Sequence, residues 1–460
     1  MTNFLRSGGV VACLVAVALG CGAFQPNAQP MAHTAVLVQP AGENTGPAYL
    51  FVSNRFVNAV YRIDLTTQQF TGILVGAGPQ NLAASPDGSQ VAVCNEADGS
   101  VSLIDTAKLH VRTINTGAYP IDVRYSPDGR WLAVANYNDQ SVTLIDPGTF
   151  ETWTVWVGGG PASVSFEARS QFVAVACFGD NDVKLIDVAQ QEAVATWDLT
   201  AYEPSDETLQ PQTISFGPAG SQFAGTMFVG LETTFAESPS SPETYAHSIV
   251  VVPFPTKFYD DPTIEPTNVQ IVRAGPSPSG FLWNREGSAF LAFNHDYLSE
   301  AGVDDTVSEL KWTADDDTVG NLGDAIRRAV PEDSTIPRRD PQDSFAYVPF
   351  AGLVNLATHW FEQRRFVVGR NPAGAALAPN RDYVAVANQD SHSISLLDLT
   401  TNGTTLVPVA ANPFAVAFSP SGRYVFVVHE TPLMPVSLVD TQTGTSWTLY
   451  KSLPMYRWIQ

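Results

Sequence analysis

The sequence predicts an all-β fold: a β-propeller of four-stranded antiparallel blades, eight by the count below, with seven as the alternative. Three observations carry this. First, a phrase ending mostly in Asn recurs as YLFVSN (49–54), QVAVCN (90–95), WLAVAN (131–136), FVAVAC (172–177), AFLAFN (289–294), YVAVAN (383–388) and YVFVVH (424–429). Its starts at 49, 90, 131 and 172, and again at 383 and 424, lie 41 residues apart within each set. Second, it is followed by a strand closing on Asp, at Asp64, Asp105, Asp146, Asp187, Asp398 and Asp440. Third, a Pro-led strand runs into a turn, as in PQNLAASPDG (79–88), PIDVRYSPDG (120–129) and PFAVAFSPSG (413–422). Short strands punctuated by Gly, Asp, Asn and Pro form antiparallel meanders. Radial stacking of such meanders leaves only short, protected edges.

In chain order, residues 1–20 carry one Arg (Arg6) before the apolar run Val10 to Gly20. That run is too short for a span of about 20 residues and suits a signal peptide. It ends in ALGC, which resembles a bacterial lipobox and implies a lipid on Cys21; ordinary cleavage nearby, giving a soluble periplasmic or secreted protein, is the alternative. Loss of Arg6 would take the formal charge from −22 to −23. Residues 21–47, rich in Pro, Gln, Ala and Gly, read as a tether. One propeller domain is expected over 48–451.

Within it, the Asn-ended strand is read as innermost and the Pro-led strand as the outer strand of the same blade. SPDG supplies the turn to the next blade, with Pro fixing φ and Gly supplying φ > 0. Each closing Asp is expected to hold backbone N–H groups of the turn after it. Blade five starts near Gln222, and blade six starts at Ala289 with LVNLAT (353–358) as its second strand. The eighth blade lacks a Pro-led strand, so TAVLVQP (34–40) is expected to donate the missing outer strand and close the ring.

These phrases resemble the YVTN β-propeller repeat, well over 48–230 and 372–448 and in outline between. The resemblance implies the fold. It implies no particular activity, because the family spans surface proteins, lactonase-like proteins and propellers of periplasmic redox enzymes. No catalytic residue of the family maps onto a motif here.

Composition narrows the partners. A formal charge of −22 argues against nucleic acid, which needs a basic surface, and against docking on anionic lipid other than through the anchor. Of four cysteines only Cys94 and Cys177 lie in the body, too few for a disulfide framework, and no CxxC occurs. GxSxG, HExxH and Gly-rich phosphate loops are also missing from the sequence.

Departures from the 41-residue norm fall at 200–210, 231–247 and 295–343, all on connections of one face; 253–266 belongs to the other. Long loops in a tight repeat carry function more often than not. The mouth on that face gathers Glu96, Asp139, Cys177, Asp180, His295, Asp296, His392, His429 and Glu430 as candidate ligand-binding residues. Carboxylates with imidazoles make a donor set for Ca²⁺ or a transition metal, though a solvated acidic rim is the simpler reading and no cofactor is expected. TADDDTVGN (313–321) has Val319 and Ile326 where an EF-hand needs oxygen ligands. The leading expectation is an envelope-anchored, monomeric lipoprotein of the outer membrane or periplasm that binds a protein or small ligand on this face. A lactonase-like or metal-assisted hydrolase and a redox-enzyme propeller subunit are the alternatives.

Overall fold

The computed structural model describes residues 35–38, 48–67, 69–199, 208–218, 221, 223–234, 248–253, 259, 270–273, 278–283, 289–294, 306–314, 359–370, 372–380, 382–401, 403–419, 421–430 and 436–450. Among them are eight four-stranded sheets, each built from one contiguous stretch of chain and antiparallel at the pairings between its neighbouring strands. The fold is a β-propeller.

The second sheet shows the pattern: inner strand Pro79–Ala84, second Gln90–Asn95, third Ser100–Asp105, outer Val111–Asn115. Second strands are almost wholly buried, as their continuous apolar runs dictate, because sheets pack on both of their faces. Outer strands are mostly exposed, with VRTIN burying only Ile114.

The expected strand phase needs correction. The Pro-led strand does not end one sheet; it begins the next and pairs with the Asn-ended strand that follows it, Pro79 with Asn95 and Ala84 with Val91. It is also the innermost strand, since Pro79–Ala84 lies against Pro120–Tyr125, and Pro120–Tyr125 against Pro161–Phe166. The reason lies in SPDG. Gly88 (φ 69°) donates from its N–H to Ser85 O at 2.9 Å, and Ser85 N–H to Gln90 O at 2.9 Å. A turn this tight joins neighbouring strands of one sheet, not strands of two blades. Both readings put the same connections at the same end, so the division into two faces is unchanged.

Closure by a donated strand is likewise not found. Ala35–Val38 forms, but as the inner strand of the first sheet, paired Val38 to Tyr49 and Ala35 to Val52. The eighth sheet is complete from its own residues, Pro413–Phe418 through Thr445–Tyr450. The first and last sheets meet through side chains: Leu50, Val52, Tyr61 and Ile63 share a buried cluster with Phe414, Phe426, Val428 and Leu438. Similar clusters join the first sheet to the second, the second to the third, and the third to the fourth.

The sixth sheet corrects the expected insertion at 295–343. Its third strand is Thr306–Ala314 and its outer strand His359–Val367, with Ala314 paired to His359. Only 295–305 therefore connects second to third strand on the expected face, while 315–358 connects third to outer strand at the opposite end. LVNLAT (353–358) lies outside the described residues.

The aspartate expectation is met at all six positions. Asp64, Asp105, Asp146, Asp187, Asp398 and Asp440 each accept a backbone N–H two residues on, at 2.8–3.0 Å.

Candidate functional site

The mouth that the sequence singles out lies where second strands pass to third strands. Its architecture comes from a polar set repeated in three sheets. Asn95 Nδ2 donates to Ser100 Oγ (3.0 Å) and Ser102 Oγ (2.9 Å). Asn136 does the same to Ser141 (3.1 Å) and Thr143 (2.8 Å), and Asn388 to Ser393 (3.1 Å) and Ser395 (2.9 Å). All three amides are fully buried. The recurring Asn thus ties its strand end to the hydroxyls of the next strand.

Three residues further on, a side chain holds the turn that delivers the inner strand. Asp98 Oδ2 accepts Ala77 N–H at 2.5 Å, Asp139 Oδ2 accepts Ala118 N–H at 2.7 Å, and Asp180 Oδ2 accepts Gly159 N–H at 2.7 Å. Ser391 does so for Arg370 at 3.0 Å. The packing is close enough to require glycine: a Cβ on Gly117 would stand 2.7 Å from Asp139 Oδ2 and 2.8 Å from the Asn136 side chain. Asp139 and Asp180 are therefore committed to backbone.

Glu96 and Glu430 are committed as well. Glu96 accepts from Gln80 Nε2 and meets the Tyr119 hydroxyl. Burial, reinforced by that carboxylate, pushes Tyr119 upward. Glu430 accepts from Gln389 Nε2 at 2.9 Å and pairs with Arg55 Nη2 at 3.4 Å. His392 is exposed in a left-handed backbone (φ 51°), with its Nδ1 3.0 Å from Gln389 O and 3.3 Å from Asn412 N.

The two departures from Asn, Cys177 and His429, do not open on the channel; both are fully buried. His429 Nδ1 lies 3.1 Å from Ala411 O, so it donates there, and Nε2 accepts from Ser437 Oγ at 2.8 Å. Burial lowers this imidazole to about 4, which keeps it neutral. The Cys177 thiol is pushed up by burial and then by Asp182. Asp182 itself, raised by desolvation, pairs with Lys184 Nζ at 2.5 Å. Thus Cys177, Asp182 and Lys184 occupy the places of Asn, Ser and Thr in the neighbouring sheet. A raised thiol in apolar surroundings is inert rather than nucleophilic.

The structure brings the described candidates to one end of the molecule but spends each on a local partner. Among the described residues, no group of three His, Cys, Asp or Glu could hold a metal ion. His295 and Asp296 lie outside the described residues.

Sequence reasoning missed Arg55, Phe56, Tyr119 and Tyr137. Phe56 is 51% exposed with the Arg55 guanidinium 5.6 Å from its ring centre. Tyr119 and Tyr137 lie ring to ring at 6.3 Å. For Arg55 and Tyr137 the available signal was the residue after each recurring Asn, which varies (Arg55, Glu96, Tyr137, His295, Gln389) where the Asn does not.

No protein-family model and no curated protein matches the chain. Among solved structures it is similar to dihydro-heme d1 dehydrogenase NirN in complex with DHE, with a TM-score of 0.56 and 14% identity over 91% of this chain and 79% of that one. The resemblance is one of fold. Kuenenia stuttgartiensis hydrazine synthase matches at TM-score 0.49 and 14% identity, covering 81% of this chain and 95% of that one. The Myceliophteria thermophila Cps50 (Swd1) β-propeller domain matches at 0.47 and 13%, covering 79% and 93%.

Proposed function

We propose that this chain is an extracytoplasmic β-propeller, held to the bacterial envelope by a lipid on Cys21, that binds a protein partner through its second-to-third-strand face without catalysing a reaction. The observation that carries this reading is Phe56, 51% exposed beside the guanidinium of Arg55 on that face. Aromatic and Arg side chains dominate the energetic centres of protein interfaces. Connections 235–247 and 295–305 leave the fifth and sixth sheets at the same end. The recurring carboxylates there hold turns together, a structural use that fits a scaffold.

The test is cross-linking in the source cells with wild type and Phe56→Asp. A partner recovered with wild type and lost with the variant supports the reading, provided the variant melts normally. Equal recovery by Phe56→Asp, or lactone hydrolysis by the purified protein, overturns it. For the anchor, Cys21→Ala is expected to move the protein from the membrane fraction to the soluble one. Retention in the membrane fraction rejects that part of the proposal. Sedimentation of the soluble form is expected to give a monomer.

A further inference from the structure

The inner strands contribute one layer of side chains opposite the third residue of each second strand. In the third, fourth and fifth sheets this layer is Arg124 (paired with Ala133), Ser165 (with Ala174) and Ser215 (with Phe228). Elsewhere it is Val36, Ala83, Leu282, Ala376 and Ala417. Arg124 is the single charge in this eight-residue layer. Arg124, Ser165 and Ser215 are all partly exposed although they sit on innermost strands.

The hydrogen bonds around Arg124 leave most of its guanidinium uncommitted. Its neighbour Asp122, only 2% exposed, accepts Val123 N–H at 3.0 Å on Oδ1, and Ser163 Oγ–H and Val164 N–H at 3.0 Å each on Oδ2. Those three donors satisfy the carboxylate. Arg124 adds only a longer contact from Nε to Asp122 Oδ1 at 3.4 Å. Among the described residues neither Nη atom has a hydrogen-bond acceptor, while the side chain is 28% exposed. On the next inner strand, Ser165 Oγ accepts Phe216 N–H at 3.1 Å, so its own hydrogen remains available. Ser215 is already engaged, donating to Phe216 O and accepting from Trp283 Nε1.

We infer that Arg124, assisted by Ser165, is a binding site inside the channel for a small oxyanion group, a carboxylate or phosphate, carried by a ligand. Asp122 holds the guanidinium from the Nε side and leaves the two-pronged Nη edge outward, the geometry that takes two anionic oxygens at once. Alanines on the second, seventh and eighth sheets keep the layer short of bulk there. The layer lies one residue from the end of the inner strand that carries the SPDG turns, so the ligand enters from the face opposite the Phe56 mouth. This site is independent of the proposed partner surface. The strongly acidic surface does not forbid an anion here, because at physiological salt charges beyond about 8 Å are largely screened.

The experiment titrates the folded protein at fixed ionic strength with inorganic phosphate in one arm and succinate in the other, read by calorimetry and by Tm. A saturable response to either anion is expected. Arg124→Gln should weaken it at least about ten-fold, Arg124→Lys by less because it keeps the charge without the fork, and Ser165→Ala by about three-fold. Saturation by phosphate alone assigns a phosphate-bearing ligand, and by succinate alone a carboxylate. If Arg124→Gln does not fold, phenylglyoxal labelling of wild type replaces it: the anion should slow modification of Arg124 and leave Arg130 unaffected. Non-saturable responses to both anions, equal affinity of Arg124→Gln, or an unprotected Arg124 overturns the inference.

Discussion

The third and fourth sheets are built from the same phrase, yet they solve one problem with opposite chemistry. Where the second strand ends, the third sheet places Asn136 beside Ser141 and Thr143, an uncharged set in which one amide Nδ2 donates to both hydroxyls. The fourth places Cys177 across from Asp182, whose charge Lys184 compensates at 2.5 Å with side-chain exposures of 15% and 10%. The eighth sheet uses a third solution, a neutral imidazole on a hydroxyl. The backbone geometry is kept in all three cases. What differs is the consequence of losing one member, since an uncharged set leaves a missing hydrogen bond and an ion pair leaves a buried charge.

That contrast predicts the largest effect at Lys184. Lys184→Met strands Asp182 and should destabilise the fold by about 3–5 kcal/mol in urea unfolding. Converting the whole set to the neutral pattern, Cys177→Asn with Asp182→Ser and Lys184→Thr, should restore stability to within about 1 kcal/mol of wild type. A small loss in the single variant would mean that Asp182 is solvated, and would break the comparison.

Next comes His429. Burial holds it near 4 in the folded protein against 6.5 in the unfolded chain, so the unfolded chain binds the extra proton between those values. Its contribution is present in full above pH 6.5 and declines as pH falls toward 4, by up to about 3 kcal/mol. His429→Asn, the residue of the regular sheets, should flatten unfolding free energy across that window. An unchanged pH slope would remove the imidazole as its cause.

A smaller effect is expected where the regular pattern is tight. Gly117→Ala forces a Cβ against Asp139 and Asn136 and should cost about 1–3 kcal/mol by thermal melting. Least is expected of Asp398, which accepts from the Thr400 hydroxyl and backbone on an exposed turn. The Thr400 hydroxyl first, and the turn N–H groups after it, hold Asp398 below the usual carboxylate range. Its stabilisation is present above about pH 4 and lost below, so Asp398→Ala should change stability by under about 1 kcal/mol and only above that pH.

Much of this was readable from sequence because the 41-residue repeat exposes both the strands and their punctuation. The aspartate turns and the eight sheets followed from residue type and spacing alone. The phase of the sheets did not, since a periodic string does not mark where a period starts; the tightness of SPDG, visible at Gly88, decides it. The third strand of the sixth sheet, TVSELKWTA, was hidden because it carries neither the closing Asp nor the usual spacing. At the mouth, the sequence placed the described candidates at one end of the molecule, and the structure keeps them there. The sequence could not say that Asp139, Asp180, Glu96 and Glu430 were already bonded, because their partners lie 16 to 41 residues away in the chain. Arg124 escaped notice for the opposite reason: nothing in PIDVRYSPDG marks its fifth residue as the one charge of a layer.

Because each sheet keeps its own strands, the junction between the first and eighth is, among the described sheets, the place where neighbours pack without being consecutive in the chain. Residues of the cluster around Leu50 and Phe426 hold it by apolar contact, without a shared backbone ladder. Pulled by its two ends, the molecule would part there first. Apolar contact ruptures at low force, whereas each remaining sheet must be unzipped strand by strand.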